Sequence, residues 1–264
     1  MNEESIEASK APLIDHFIEL RTRILRSIFI LTVTFIFAFI FSENIYLFLV
    51  NPYEEIMGSN SQMIYTAPQE FLMVKLKIAL FGGLLITFPY FCLEIYSFIS
   101  PGLYKKEKIA MAPYFIFSPI LFLIGAVTVQ FFIMPLALNF FSDMQIKDSD
   151  SISVLMMPKV SEYLNLITSL IIAFGLCFQL PVLLSLLARV GFITSAYLKK
   201  GRKYAIVLVF LVAAFLTPPD LVSQIGLAIP TLILYEISIL IVSMIEKKII
   251  MTNKKGNILI YARY

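Results

Sequence analysis

From Ile109 to Ser142 the chain runs for 34 residues without a charged side chain. At ~1.5 Å of rise per residue this run is too long for the ~30 Å of hydrocarbon in a bilayer, so its end projects beyond the membrane or bends at Pro119 or Pro135. Five other segments supply or nearly supply a span. Ser27 to Ser42 carries no charge, and Ile78 to Ile99 carries only Glu94. Tyr163 to Ala188 gives a fourth span, and Tyr204 to Leu216 a short fifth before Thr217-Pro218-Pro219-Asp220. The sixth runs from Val222 to Ile245 around Glu236. The composition agrees: 59% of residues are apolar and 15% charged, with a mean hydropathy of +0.86, outside the range of water-soluble domains.

The fold class expected is therefore all-α, a polytopic membrane protein with six kinked transmembrane helices and short last spans. Residues 1–264 read as a single integral membrane domain. An amphipathic N-terminus over about 12–26 leads into spans at about 24–42, 78–99, 109–135, 163–188, 204–216 and 222–245, and a tail follows at 246–264. The acidic Met1 to Lys10 stretch has no signal or transit-peptide pattern, so the first span is expected to stay as an anchor. The loops Glu43 to Glu70 and Asp143 to Glu162 read as caps with short helices. Span five offers about 20 Å of helix at 1.5 Å per residue and is expected to thin the bilayer around it.

Charge placement sets the orientation. Seventeen of the 21 Lys and Arg fall on one side of the spans: Lys10 with Arg21, Arg23 and Arg26; Lys105, Lys106 and Lys108; Arg189 with Lys199, Lys200, Arg202 and Lys203; and Lys247 onward. The opposite loops hold Lys147 and Lys159, with Lys75 and Lys77 at the mouth of span two. By the positive-inside rule both termini face the cytoplasm. The same rule accounts for the basic loops, which carry no interleaved aromatic pattern, so no nucleic-acid partner is expected.

Covalent chemistry has few candidates. There is no HExxH, GxSxG or phosphate-binding Gly-rich loop, and a single histidine, His16, leaves no conventional Ser-His or multi-His site. Cys92 and Cys177 lie in apolar runs and read as buried thiols. No cofactor or metal is expected, and the chain is not read as an enzyme.

Several polar residues stand out against the apolar background. Leu13, Phe17, Leu20 and Ile24 form one face of an interfacial helix whose other face holds Asp15, Glu19, Thr22 and Arg26. Glu19 and Arg23 are spaced for an i,i+4 ion pair in the favourable acid-first order. Glu107, among Lys105, Lys106 and Lys108, reads by itself as a solvated acid. Glu94 and Glu236 are costlier, since a carboxylate at mid-helix depth costs about 2.5–3.5 kcal/mol even on the lenient insertion scale. They are either helix-helix glue or a functional polar site. Glu94 precedes Lys105 by 11 residues, Gln179 precedes Arg189 by 10 and Glu236 precedes Lys247 by 11, which places the three at similar depth as one polar layer.

Taken in order, HFIELRTR before span one, PQEFLMVKLKIAL entering span two, FISPGLYKKEK after it, FGLCFQLPVLL in span four and FLTPPDLVSQIGLAIPTLILYEI over the last two spans resemble the TatC family. These are the multi-span subunits of the twin-arginine protein translocase, and the similarity covers nearly the whole chain. The resemblance implies a receptor for signal peptides carrying two consecutive arginines and an assembly platform that exports folded proteins across a membrane using the proton gradient. It implies arginine-reading roles for Glu19 and Glu107, with Arg21 and Phe98 also at the signal-peptide site. Thr217 and Gln224 join Glu94, Gln179 and Glu236 as intramembrane polar or partner-binding positions, and Pro52 and Asp220 fall at functional positions on the far side. The partners implied are twin-arginine signal peptides, single-span subunits of the TatA and TatB type, further copies of the chain and the lipid bilayer. The membrane implied is the bacterial inner membrane. One departure is Gln179, where the family often has glutamate. A rival of another class is a proton- or solute-coupled secondary transporter with Glu94 and Glu236 as ion sites, and another is a scaffold indifferent to the arginines.

The orientation is open to direct measurement. Single cysteines at positions 106 and 200, in a background lacking Cys92 and Cys177, should resist an impermeant thiol reagent applied to intact cells and react once the membrane is opened. Labelling from outside at either position would invert the topology.

Overall fold

The computed structural model describes the backbone of residues 3–58, 62–100, 105–145, 156–216 and 221–261, and side chains over 16–58, 62–100, 108–145, 156–215 and 222–248. Nine α-helices follow in order among the described residues: α1 (Glu3–Ile40), α2 (Ser42–Met57), α3 (Glu70–Ile99), α4 (Lys105–Thr128), α5 (Met134–Asp143), α6 (Val160–Cys177), α7 (Leu180–Val190), α8 (Ser195–Leu216) and α9 (Leu221–Tyr261). The fold is all-α, as its sequence implies.

Five described segments are long and apolar enough to cross a membrane: His16–Ile40, Glu70–Ile99, Lys108–Asp143, Val160–Val190 and Val222–Lys248. The sixth expected segment lies in α8, whose first turns carry Lys199, Lys200, Arg202 and Lys203 and leave Tyr204 to Leu216 as its apolar part. The interfacial helix and the first span are one continuous rod in α1. The cap at Glu43 to Glu70 does contain a helix, α2. A parallel bridge joins Ile64 to Lys159, through Ile64 N–H to the Pro158 carbonyl (3.1 Å) and Val160 N–H to the Ile64 carbonyl (2.9 Å).

Two prolines reshape the long runs. Ahead of Pro135, which has no N–H to donate, the ladder widens into a π-helical turn over Val129–Ile133 before α5 begins. Pro181 lies in the first turn of α7, and the fourth span is accordingly two helices separated by a turn at Phe178 and Gln179, where a single kinked helix was expected. Gly191 closes α7 in the left-handed conformation (φ 84°), with Phe192 N–H bonded to the Leu187 carbonyl at 2.9 Å.

The chain forms two compact units, Met1–Phe48 with Ala67–Pro119, and Leu49–Thr66 with Ile120–Tyr264. In the first, α1 packs against α3. A side chain at Gly83 would meet the backbone of Phe35 at 2.9–3.0 Å, so only glycine lets the two helices approach this closely. Beside this contact the Thr34 and Thr87 hydroxyls share a 2.6 Å hydrogen bond, and the Thr87 hydroxyl donates to the Gly83 carbonyl at 2.7 Å. In the second unit, α7, α8 and α9 bury Ala188, Leu198, Ile239 and Val242 together. Glu246 of α9 accepts from both the N–H and the hydroxyl of Ser195 (2.8 and 2.5 Å), supplying the cap that the start of α8 needs.

Gly83→Val should separate α1 from α3 and lower the thermal stability of the purified protein by about 1–3 kcal/mol, the usual cost of overpacking. Unchanged melting in detergent would refute the close-approach role.

Candidate functional site

In the first unit, one stripe of α1 meets one stripe of α3. His16, Glu19 and Arg23 recur at i, i+3 and i+7, and Tyr90, Glu94 and Phe98 at i, i+4 and i+8, so each set shares a helix face. The helices run antiparallel. The His16 ring stacks on Phe98 (centroids 4.2 Å apart, planes at 18°), and farther along Arg23 faces Glu94.

Arg23 is the centre of the arrangement. Its Nε and Nη2 donate to Glu19 Oε1 at 3.0 and 2.6 Å, its Nη1 to Glu94 Oε2 at 2.7 Å, and its Nη2 also to the Ser97 carbonyl at 3.2 Å. Tyr90 donates its hydroxyl to the other Glu94 oxygen at 2.5 Å. The side chains of Glu94, Arg23 and Glu19 are 15%, 20% and 34% exposed, so the group is partly desolvated yet reachable. Partial burial strengthens these ionic contacts relative to open water, and the nearby charge of Arg26 also acts on Glu94.

The sequence-expected residues distribute as follows. Glu19 and Phe98 belong to this stripe, and Arg21 is exposed beside it. Glu107 lies in the first turn of α4, with its side chain outside the described residues; the Tyr96 hydroxyl of α3 donates to the carbonyl of the next residue, Lys108, at 3.1 Å. In the second unit, Gln179 Nε2 donates to the Gly175 carbonyl (3.4 Å), Gln224 Nε2 to the Phe210 carbonyl (3.3 Å), and Glu236 pairs with Arg202 at 2.8 Å on a half-exposed face. Pro52 is buried within α2. Thr217 and Asp220 lie outside the described residues.

Sequence reasoning missed Arg23 as a bridge and Tyr90 as the donor fixing Glu94. The Glu19–Arg23 spacing was visible, and so was the demand of Glu94 for a partner. Nothing in spacing alone joins residues 71 positions apart.

Removing the phenol donor tests the network. Tyr90→Phe should cost about 1 kcal/mol of resistance to unfolding in detergent. Glu94→Gln should cost less in that background than in the wild type, and strict additivity would show that Tyr90 and Glu94 are not coupled.

Comparison with known proteins bears on what this arrangement serves. The family model for "Sec-independent protein translocase protein (TatC)" matches residues 15–230. A protein of that description from Magnetococcus marinus is 44% identical over 239 residues, covering 90% of this chain and 86% of its own. One from Rickettsia prowazekii is 41% identical over 233 residues, covering 88% and 92%. Among solved structures, a crystal structure of the twin-arginine translocase receptor TatC superposes with a TM-score of 0.75 at 33% identity, covering 88% of this chain and 99% of that one.

Proposed function

The chain belongs to the TatC family of Sec-independent protein translocase proteins, and from that premise we propose that it is a receptor for signal peptides bearing two consecutive arginines. The observation that carries this reading is the Glu19–Arg23–Glu94 cluster, in which carboxylates from two helices already hold a guanidinium. An arginine side chain presents five N–H donors in a fixed plane and can engage two carboxylates at once, whereas a lysine ammonium is a compact charge without that fork. Glu107, in the same unit at the start of α4, supplies a further carboxylate for the second arginine.

Arg21 and Phe98 border the site, Phe98 giving an apolar ring surface against which an arginine stem packs. The apolar segment that follows the arginines in such a peptide lies along the exposed Ile28, Phe29, Val33, Ile36 and Phe37 of α1. Both termini and the basic loops face the cytoplasm of a bacterial inner membrane. The chain performs no covalent step. It binds the signal, associates with further copies of itself and with single-span subunits of the TatA and TatB type, and the proton gradient drives passage of the folded cargo. Thr217 and Gln224, with Glu236 and Gln179, supply polar contacts to partner helices. Pro52 and Asp220 shape the far side.

Photocrosslinking decides the receptor reading. A signal peptide with Arg-Arg should be captured strongly and its Lys-Lys counterpart weakly, and Glu19→Ala with Glu107→Ala should lose most of the capture while still inserting into the membrane. Equal capture of both peptides, or wild-type capture by the double variant, would overturn it.

A further inference from the structure

We propose that Arg23 is a built-in occupant of the arginine site, and that Glu94 becomes a ligand of the incoming arginine once Arg23 is displaced. The inference rests on the receptor reading above and adds to it a third carboxylate and a resting state.

Every nitrogen of the Arg23 guanidinium is engaged, by Glu19 Oε1, Glu94 Oε2 and the Ser97 carbonyl. An arginine arriving on a peptide presents the same plane of donors and is satisfied by the same acceptors. Two features separate this cluster from a purely structural ion pair. The side chains remain partly exposed, so the clamp can be entered from outside. Tyr90 holds Glu94 through its other oxygen, so that carboxylate keeps its place when Arg23 leaves. The displaced guanidinium has somewhere to go, because its neighbours Arg21, Thr22 and Arg26 are all exposed on the same end of α1.

The arrangement has a functional consequence. A site that is self-occupied binds its ligand more weakly by the fraction of time it stands open. That fraction is the same for every peptide, so Arg23 lowers the affinity of all of them equally and leaves the choice of arginine over lysine to the spacing of the carboxylates.

The test uses the full-length purified protein and two fluorescent signal-type peptides, one Arg-Arg and one Lys-Lys, with otherwise identical apolar segments. Preference of the wild type for Arg-Arg checks the receptor reading by itself; without that preference, both readings fall. Given that preference, Arg23→Gln should bind the Arg-Arg peptide about tenfold more tightly if the clamp is closed roughly nine-tenths of the time, with the preference over Lys-Lys kept. Adding Glu94→Gln to Arg23→Gln should abolish that gain. Binding that is unchanged or weaker in Arg23→Gln, or indifference to Glu94→Gln in that background, would overturn this proposal and leave the receptor reading standing. A second measurement needs no variant. Modification of Arg23 by phenylglyoxal, followed by mass spectrometry on the wild-type protein, should speed up severalfold when the Arg-Arg peptide is added and stay level with Lys-Lys. Slowing or no change with Arg-Arg would equally refute displacement.

Discussion

Hydrocarbon offers no partner to an amide or a hydroxyl, so polar groups in the spans have to be satisfied inside the protein, and much of this architecture follows from that requirement. The backbone meets it by being helical. The hydroxyls meet it by folding back one turn: Thr32 to Ile28, Thr87 to Gly83, Ser185 to Pro181, Thr231 to Leu227 and Ser238 to Leu234 all donate to the carbonyl four residues earlier. Glu94 is the case that local geometry cannot solve, since a carboxylate on a helix has no donors within its own turn of backbone. It takes one donor from Tyr90 on its own helix and one from Arg23 on the neighbour. The polar stripe that joins α1 to α3 is the answer to that demand.

The same requirement explains what was readable in advance. Long charge-free runs announced apolar helices, because a bilayer leaves few other ways to accommodate them, and five described segments have that character. The continuity of the amphipathic stretch with span one was readable from the unbroken apolar period through Leu20 and Ile24. Pro135 and Pro181 announced irregularity without announcing its form. A proline only removes a donor and adds a clash, and whether the ladder widens, as at Val129–Ile133, or breaks, as at Phe178 and Gln179, is decided by the packing of the neighbours. Gly125 shows how local that packing is: a side chain there would meet the Phe174 carbonyl at 2.9 Å, just before the break. Among the candidate site residues, Glu94 was visible as an energetic anomaly, while its partner lay in a different helix and was visible only as an i,i+4 neighbour of Glu19.

Close packing of α1 on α3 is also what gives the carboxylate cluster its geometry. Gly83 and the Thr34–Thr87 hydrogen bond fix the helices at one separation, so Glu19 from one and Glu94 from the other stand at a spacing that fits a guanidinium between them. A site whose spacing is set by helix packing loses little further entropy on binding, and its selectivity is set by that spacing. A lysine ammonium at that spacing satisfies one carboxylate and leaves the other partly desolvated with one partner fewer, which is the costly case for a buried charge.

From Arg23 the helix continues directly into Ile28, Phe29, Val33, Ile36 and Phe37, each more than half exposed within the protein and so available to lipid or to a partner. On the receptor reading, a peptide with its arginines at the clamp and an apolar segment after them meets a charged site and then an apolar surface in the same order as its own sequence. The two halves of that recognition have different physics. The clamp contributes direction and the choice of arginine over lysine, because ionic geometry is strict. The apolar face contributes area without strict geometry, because dispersion and hydrophobic contact do not read side-chain identity. A receptor built this way tolerates wide variation in the apolar part of its ligands while insisting on the arginine pair, and both properties rest on the packing of α1 against α3.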